Sequence, residues 1–165
     1  MKNVKDTVQR ILSVTWSWEK DAMDELLGKI GAFPAQDSDS SSEERKFTDK
    51  DGAFADAVYN CEFRGPLVFF PLASADLNDL DESARDEVIS AFDEKFEAAV
   101  EEVTSIIGEP DYTGPASGSD MTEGQFADSL ACWLREDGRL MVQMGQRDTE
   151  LPLEIAIVMA ARHRG

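Results

Sequence analysis

Residues 82–107 read ESARDEVISAFDEKFEAAVEEVTSII, and this stretch decides the fold class, because its apolar residues recur with the period of an α-helix. The predicted buried stripe consists of Val88, Phe92, Phe96, Ala99 or Val100, Val103 and Ile106. Asp81 or Ser83 is suited to cap the first turn. Gly108 is typical of the residue after a helix, and Pro110 prevents the helix from resuming. The sequence therefore predicts one long amphipathic helix whose apolar face anchors it to the rest of the fold.

The same helix lies in the strongest concentration of negative charge in the chain. Residues 76–111 contain thirteen acidic residues against Arg85 and Lys95, a formal charge of −11 within a total of −18. The helix face opposite the apolar stripe carries, with its border, Asp86, Glu94, Glu97 and Glu101. Like charges at positions i and i+4 destabilise a helix by roughly a few tenths of a kcal/mol, so Glu97 and Glu101 do not serve helix stability. This face is either the solvated outside of an acidic protein or a surface that docks a basic partner, and its four acids are our candidate partner-binding residues.

Strand-like runs lie on both sides of the long helix in the sequence. The predicted strands are 53–63 and 67–72 before it and 131–136, 140–144 and 153–160 after it. Two shorter amphipathic helices, 4–14 and 19–30, precede all of them. The order α-α-β-β-α-β-β-β predicts an α+β fold, an antiparallel sheet of about five strands with the long helix packed on one face. At 165 residues the chain is expected to form a single domain.

The segment 131–144 predicts a β-hairpin, because Asp137-Gly138 is a strong signal for a two-residue turn. The strand pairs predicted from that turn are Arg135–Leu140, Trp133–Val142 and Ala131–Met144. One face then carries Trp133, Leu140, Val142 and Met144, and the other carries Cys132, Leu134, Met141 and Gln143. Because both faces are largely apolar, the second face needs a cover, which the two N-terminal helices or a second copy of the chain would supply.

Two segments outside the predicted elements stand out. Residues 34–52 are rich in acidic residues and serine, and 36–44 contain no apolar residue, so a flexible surface loop is predicted there. Trp16 and Trp18 are separated by one residue. They either form a contact site for a partner or pack the helices onto the sheet.

The residues needed for most enzyme chemistries are missing from the sequence. His163 is the single histidine and lies near the C-terminus, so we expect no Ser-His-Asp or Cys-His catalysis and no histidine-based metal site. The sequence contains no phosphate-binding loop, dinucleotide fingerprint or complete calcium loop. Cys61 and Cys132 are far apart, which favours two buried thiols in a reducing cytoplasm. We therefore expect no cofactor, no metal and no catalytic residue, and an enzyme that uses carboxylates alone is the remaining alternative.

The overall charge restricts the kinds of partner. A formal charge of −18 at pH 7 repels nucleic acid and anionic membrane surfaces, so neither is expected to bind. No run approaches the roughly 20 apolar residues of a transmembrane helix, and the first residues do not form a signal peptide, which predicts a cytoplasmic protein. A partner that is steered electrostatically is expected to be a basic protein.

Three segments taken together resemble a known group of proteins. They are the first helix running into TWSW (15–18) with a second helix ending at Gly31, the helix end IIGEP (106–110), and the Trp133 strand with its hairpin and LPLEI (151–155). In these segments the chain resembles small acidic actinobacterial proteins of unknown function, which are similar to cytoplasmic immunity-type proteins encoded near polymorphic-toxin or type VII secretion genes. Taken with the acidic helix face and the missing catalytic groups, the resemblance implies a non-enzymatic immunity protein that neutralises a basic toxin through that face, and the group has no catalytic residues to carry over. The alternative is a cytoplasmic secretion chaperone that holds an exported client as a homodimer.

Overall fold

The fold is α+β, with a long helix and an antiparallel sheet. The computed structural model describes residues 1–36, 43–59, 66–122, 125, 127–146 and 148–162. The helices are α1 (Val4–Leu12), α2 (Met23–Lys29) and α3 (Glu82–Ile107), with short 3-10 turns at Lys20–Ala22, Ala116–Gly118 and Asp120–Thr122. The strands are β1 (Phe33–Pro34), β2 (Glu44–Asp49), β3 (Gly52–Val58), β4 (Leu67–Ala75), β5 (Tyr112–Gly114), β6 (Ser129–Arg135), β7 (Gly138–Gly145) and β8 (Leu153–Ala160).

The sheet has eight strands, so the prediction of about five was wrong. Their order across the sheet is β1-β2-β3-β4-β8-β7-β6-β5, and every neighbouring pair is antiparallel. The predicted strands correspond to β3, β4, β6, β7 and β8. The last of these, Leu153–Ala160, has the predicted bounds. The additional strands are β1, β2 and β5, two of which form the outer edges of the sheet.

The additional strands were missed because they are short or polar. Strand β2 lies inside the segment 34–52 that was predicted to be a loop, which is a correction of that prediction. Its one large apolar side chain, Phe47, is 1% exposed, while the residues around it are charged or polar. A single buried residue gives no visible period, and strands of two or three residues carry still less pattern. The most Ser-rich part of the predicted loop, 37–42, lies outside the described residues.

The three α-helices of the described residues pack on the same face of the sheet. Their buried side chains, among them Val8 of α1, Leu27 of α2 and Phe92 of α3, join one hydrophobic core with the sheet residues Val142 and Ile157. The long helix packs against α1 and across β7. The suggestion that the N-terminal helices cover the second sheet face is therefore wrong.

A separate hydrophobic cluster covers the second face within one chain. Its members include Phe69, Met141 and Val158 of the sheet, packed with Ala116 and Tyr112 from the segment that follows α3. These sheet side chains are 6% exposed or less. The second face is thus already buried in the monomer, and it does not require a second copy.

Helix α3 has the predicted bounds. Its N-cap is Asp81, whose side chain accepts a hydrogen bond from the Ala84 amide at 2.7 Å. The helix ends before Gly108, whose amide donates to the Thr104 carbonyl at 2.8 Å. The residues of the predicted stripe that are fully buried are Phe92, Ala99 and Val103, while Val88, Phe96, Val100 and Ile106 are partly buried against the same core.

The β6–β7 hairpin is present, but its predicted register was wrong by two residues. The loop is Glu136-Asp137, and Arg135 pairs with Gly138. The observed pairs include Trp133–Leu140 and Ala131–Val142. A shift of two residues keeps every side chain on its face, so the predicted faces are confirmed for the two core clusters although the pairs are not.

The two tryptophans pack the N-terminal segment onto this hairpin. Trp16 is 4% exposed, and its ring stacks on Trp18 with centroids 5.6 Å apart. The Trp18 indole nitrogen donates to the Asp137 carbonyl at 2.6 Å. Asp137 also accepts hydrogen bonds through its carboxylate, from the Trp16 amide at 2.9 Å and from the Arg135 Nε at 3.0 Å. Of the two interpretations of this pair, packing is the one that the structure supports.

Candidate functional site

The four candidate partner-binding residues lie on the outer face of α3. Asp86, Glu94, Glu97 and Glu101 are all exposed, and the buried residues Phe92, Ala99 and Val103 point the other way, into the core. The helix backbone holds these acids in a fixed row. Their placement follows the sequence pattern, whereas their role in binding stays a prediction.

The cations of α3 do not neutralise this row. Arg85 donates to the Leu77 carbonyl at 3.3 Å, and the Lys95 Nζ lies 5.0 Å from the centre of the Phe92 ring. Among the described residues, none of the ion pairs within 4.0 Å involves an acid of α3. The outer face of the helix therefore presents uncompensated negative charge to solvent.

The structure divides the four acids into two pairs. Asp86 and Glu94 lie along a shallow depression of about 530 Å³ on the N-terminal half of the helix, together with Ser83, Glu87, Ser90 and Ala91. Glu97 and Glu101 instead border a groove of about 360 Å³ between α3 and strands β5 and β6. We call this second concavity the α3–β6 groove. Its other lining residues are Phe96, Val100, Thr113, Gly114, Ser129, Leu130 and Ala131.

The α3–β6 groove exists because the sheet carries small side chains beneath the helix. Thr113 pairs with Ala131 and Gly114 pairs with Leu130, so a threonine, a glycine and an alanine meet there. Partly buried Phe96 on α3 consequently borders open space instead of a filled core. This groove was not predictable from the sequence, since its floor comes from strands that the hydrophobic pattern did not predict or did not place beside the helix.

A larger concavity of about 830 Å³ lies at the other end of the sheet, near α1, and it also was not predicted. Arg10 lines it and is already fully engaged there. Its Nε donates to the Ile30 carbonyl at 2.8 Å, its Nη1 lies 3.0 Å from the Asp49 carboxylate, and its guanidinium stacks 3.8 Å from the centre of the Phe54 ring. This arginine connects α1, the end of α2 and strands β2 and β3, which is a structural role.

The titrating groups with shifted pKa values do not form an acid–base pair. Burial alone would raise the pKa of Asp49, but the hydrogen bond and charge of Arg10 outweigh it and lower the pKa. The pKa of Asp137 is lowered in the same way, against burial, by hydrogen bonds from Arg135 and the Trp16 amide. A general acid needs the opposite shift. Burial raises the pKa of the Cys132 thiol to about 11, which makes this free cysteine unreactive.

In the part of the chain that the structure describes, no three His, Cys, Asp or Glu side chains are grouped so that they could hold a metal ion. Among these same residues no helix is long and apolar enough to cross a membrane. His163, the single histidine, and Cys61 lie outside the described residues.

Compared with models of protein families, with curated proteins and with solved structures, the chain has no match. The resemblance to immunity-type proteins therefore stays a prediction.

Proposed function

We propose that this chain is a non-enzymatic protein-binding protein of the cytoplasm that uses the outer face of α3 to bind a basic protein. The observation that carries the proposal is the row of four exposed acids on one rigid helix, with no cation near enough to pair with them among the described residues. A row of this kind attracts a positively charged surface and raises its association rate.

The specific form that we propose is an immunity protein that covers the basic active site of a cognate toxin. Support comes from the resemblance in the N-terminal, α3 and hairpin segments, and from the acidic total charge of −18. Occupying a basic site requires charge and shape but no catalytic group in the inhibitor itself.

The alternative of a homodimeric secretion chaperone has less support. It was based on the apolar second face of the sheet, which a second copy would cover. Phe69, Met141 and Val158 on that face are already buried by the chain's own residues. A dimer would have to use some other surface.

The proposal is tested by reversing the charge of the outer face. We expect the variant with Asp86, Glu94, Glu97 and Glu101 all changed to lysine to lose capture of its basic partner by about tenfold or more, because attraction becomes repulsion. The measurement is quantitative mass spectrometry of proteins that co-purify with the tagged chain from cells that also express its genomic neighbours. Affinity for the captured protein is then measured by calorimetry at two salt concentrations.

A matched control changes total charge equally but leaves α3 intact. It replaces four exposed acids elsewhere with lysine, namely Glu19, Glu25, Glu136 and Glu150. This variant should keep most of the capture, and both variants should keep the far-UV circular dichroism of the wild type. Equal capture by the α3 variant and the wild type, or capture that is lost equally in both variants, contradicts the proposal.

A further inference from the structure

The α3–β6 groove has an apolar wall on the helix side and a floor of small side chains on the sheet side. Phe96 and Val100 of α3 form an apolar wall, and each is only partly buried. The floor is made by small side chains and leaves a volume of about 360 Å³, near the lower end of ligand pockets. Such a space is suited to one or two side chains of a partner, since a whole element of secondary structure is too large for it.

The rim of the groove is acidic. Glu97 and Glu101 are one helical turn apart, are both exposed, and both border the opening. An occupant that matches the groove must therefore carry an apolar or planar body for the wall and a positive charge for the rim. The depression at Asp86 and Glu94 has no comparable wall, because its other lining residues are small or polar.

We propose that the α3–β6 groove receives an arginine side chain of the basic partner, with its stem along Val100 and Phe96 and its guanidinium between Glu97 and Glu101. This inference rests on the proposed function and names the side chain that the partner supplies. Arginine matches the groove better than lysine, because its planar guanidinium stacks on an aromatic ring and donates two parallel hydrogen bonds to a carboxylate. Asp86 and Glu94 then steer the partner, while the groove holds it.

The probe is a short acetylated peptide with one arginine between two valines, compared with peptides that have lysine or citrulline in its place. Citrulline keeps the shape of arginine without its charge. Binding is followed by the backbone amide chemical shifts of the full-length protein. We expect saturable shifts at Thr113, Gly114 and Ser129, which carry no charge and lie at the floor, with affinity falling in the order arginine, lysine, citrulline.

Two pairs of substitutions separate the groove from the rest of the helix. Glu97→Gln with Glu101→Gln removes two charges at the rim, and Asp86→Asn with Glu94→Gln removes two charges from the same helix outside the groove. The first pair should weaken arginine-peptide binding by about tenfold, and the second by less than about twofold, because neither Asp86 nor Glu94 lines the groove and neither contacts a guanidinium seated in it. Ser129→Leu, which fills the floor without changing charge, should also abolish the shifts.

The outcomes distinguish this inference from the proposed function. Equal affinity for the arginine and citrulline peptides, shifts spread evenly along α3, or equal effects of the two double substitutions would each overturn the arginine site. If one of these results appears while the charge-reversed α3 variant still loses its partner, the acidic face remains the binding surface. Only the assignment of the groove as an arginine site is then wrong. If capture also survives charge reversal, both proposals fall. The amide spectrum of each variant in the absence of peptide verifies that it is folded.

Discussion

Gly138→Ala is expected to lower the free energy of unfolding by about 2–3 kcal/mol, the largest effect that we predict for a single methyl group. A Cβ on Gly138 would lie 2.6 Å from the Ala160 carbonyl oxygen and 2.9 Å from a ring carbon of Trp18. The first of these atoms belongs to the backbone of β8. To relieve this steric overlap, β7 would have to move away from β8, or Trp18 would have to move away from the hairpin. The measurement is chemical denaturation at pH 7, followed by Trp fluorescence.

Gly28→Ala is a matched control. It makes the same chemical change, but we expect it to raise the free energy of unfolding instead of lowering it. Gly28 lies in α2, and a Cβ there would meet only a Phe33 ring carbon, at 3.8 Å. Alanine is the better helix former, so stability should rise by about 0.5–1 kcal/mol. If both substitutions change the free energy of unfolding similarly, close packing at Gly138 is not the cause of the destabilisation by Gly138→Ala.

Asp137→Asn is expected to destabilise the protein by about 1–3 kcal/mol, because it removes the acceptor of at least one of two partly buried donors. The Asp137 carboxylate accepts from the Trp16 amide at 2.9 Å and from the Arg135 Nε at 3.0 Å, and its side chain is 13% exposed. An asparagine has one carbonyl oxygen, so it cannot accept from both donors in the same way. Denaturant unfolding at pH 7 measures the loss, and Glu136→Gln, at the exposed neighbouring position, should cost little.

The same carboxylate makes part of the stability dependent on pH. The folded-state pKa of Asp137 lies below its ordinary value of 3.8, so the unfolded chain binds the proton more tightly than the folded chain does. Its contribution is complete above pH 3.8 and is lost as the pH falls through the folded-state pKa. Asp49, whose pKa is lowered by Arg10, acts in the same direction. The Asp137→Asn variant should lose less stability than the wild type between pH 7 and pH 3, and an unchanged acid dependence would count against this carboxylate as its source.

The long helix and the apolar faces of the sheet were predictable from the sequence. Helix α3 carries a strong helical period between Asp81 and Gly108, so both ends were found. Strand β8 is apolar except for Glu154, and its bounds were found too. The hairpin faces followed from the alternation of side chains, which a register error of two residues leaves unchanged.

Two features could not be predicted from the hydrophobic pattern. They are the register of the β6–β7 hairpin and the presence of the short strands. A slip of two residues leaves the hydrophobic pattern unchanged, whereas in the observed register the turn residue Asp137 accepts hydrogen bonds from Trp16 and Trp18, more than a hundred residues earlier in the chain. Strand β2 is held in the sheet through Phe47, whose burial cannot be inferred from its polar neighbours. Each of these features depends on contacts between segments that are distant in the sequence.

The candidate site also has features that the sequence predicts and features that only the tertiary structure shows. The sequence by itself determined that α3 is a helix with four acids on its outer face, because a helix places residues by a local period that needs no partner. Only the tertiary structure decided that Asp86 and Glu94 lie over open helix surface while Glu97 and Glu101 border a groove. The reason is physical: the groove is the space left between Phe96 of the helix and the small residues Thr113, Gly114 and Ser129 of two strands, and such a space exists only after those separate segments have packed together.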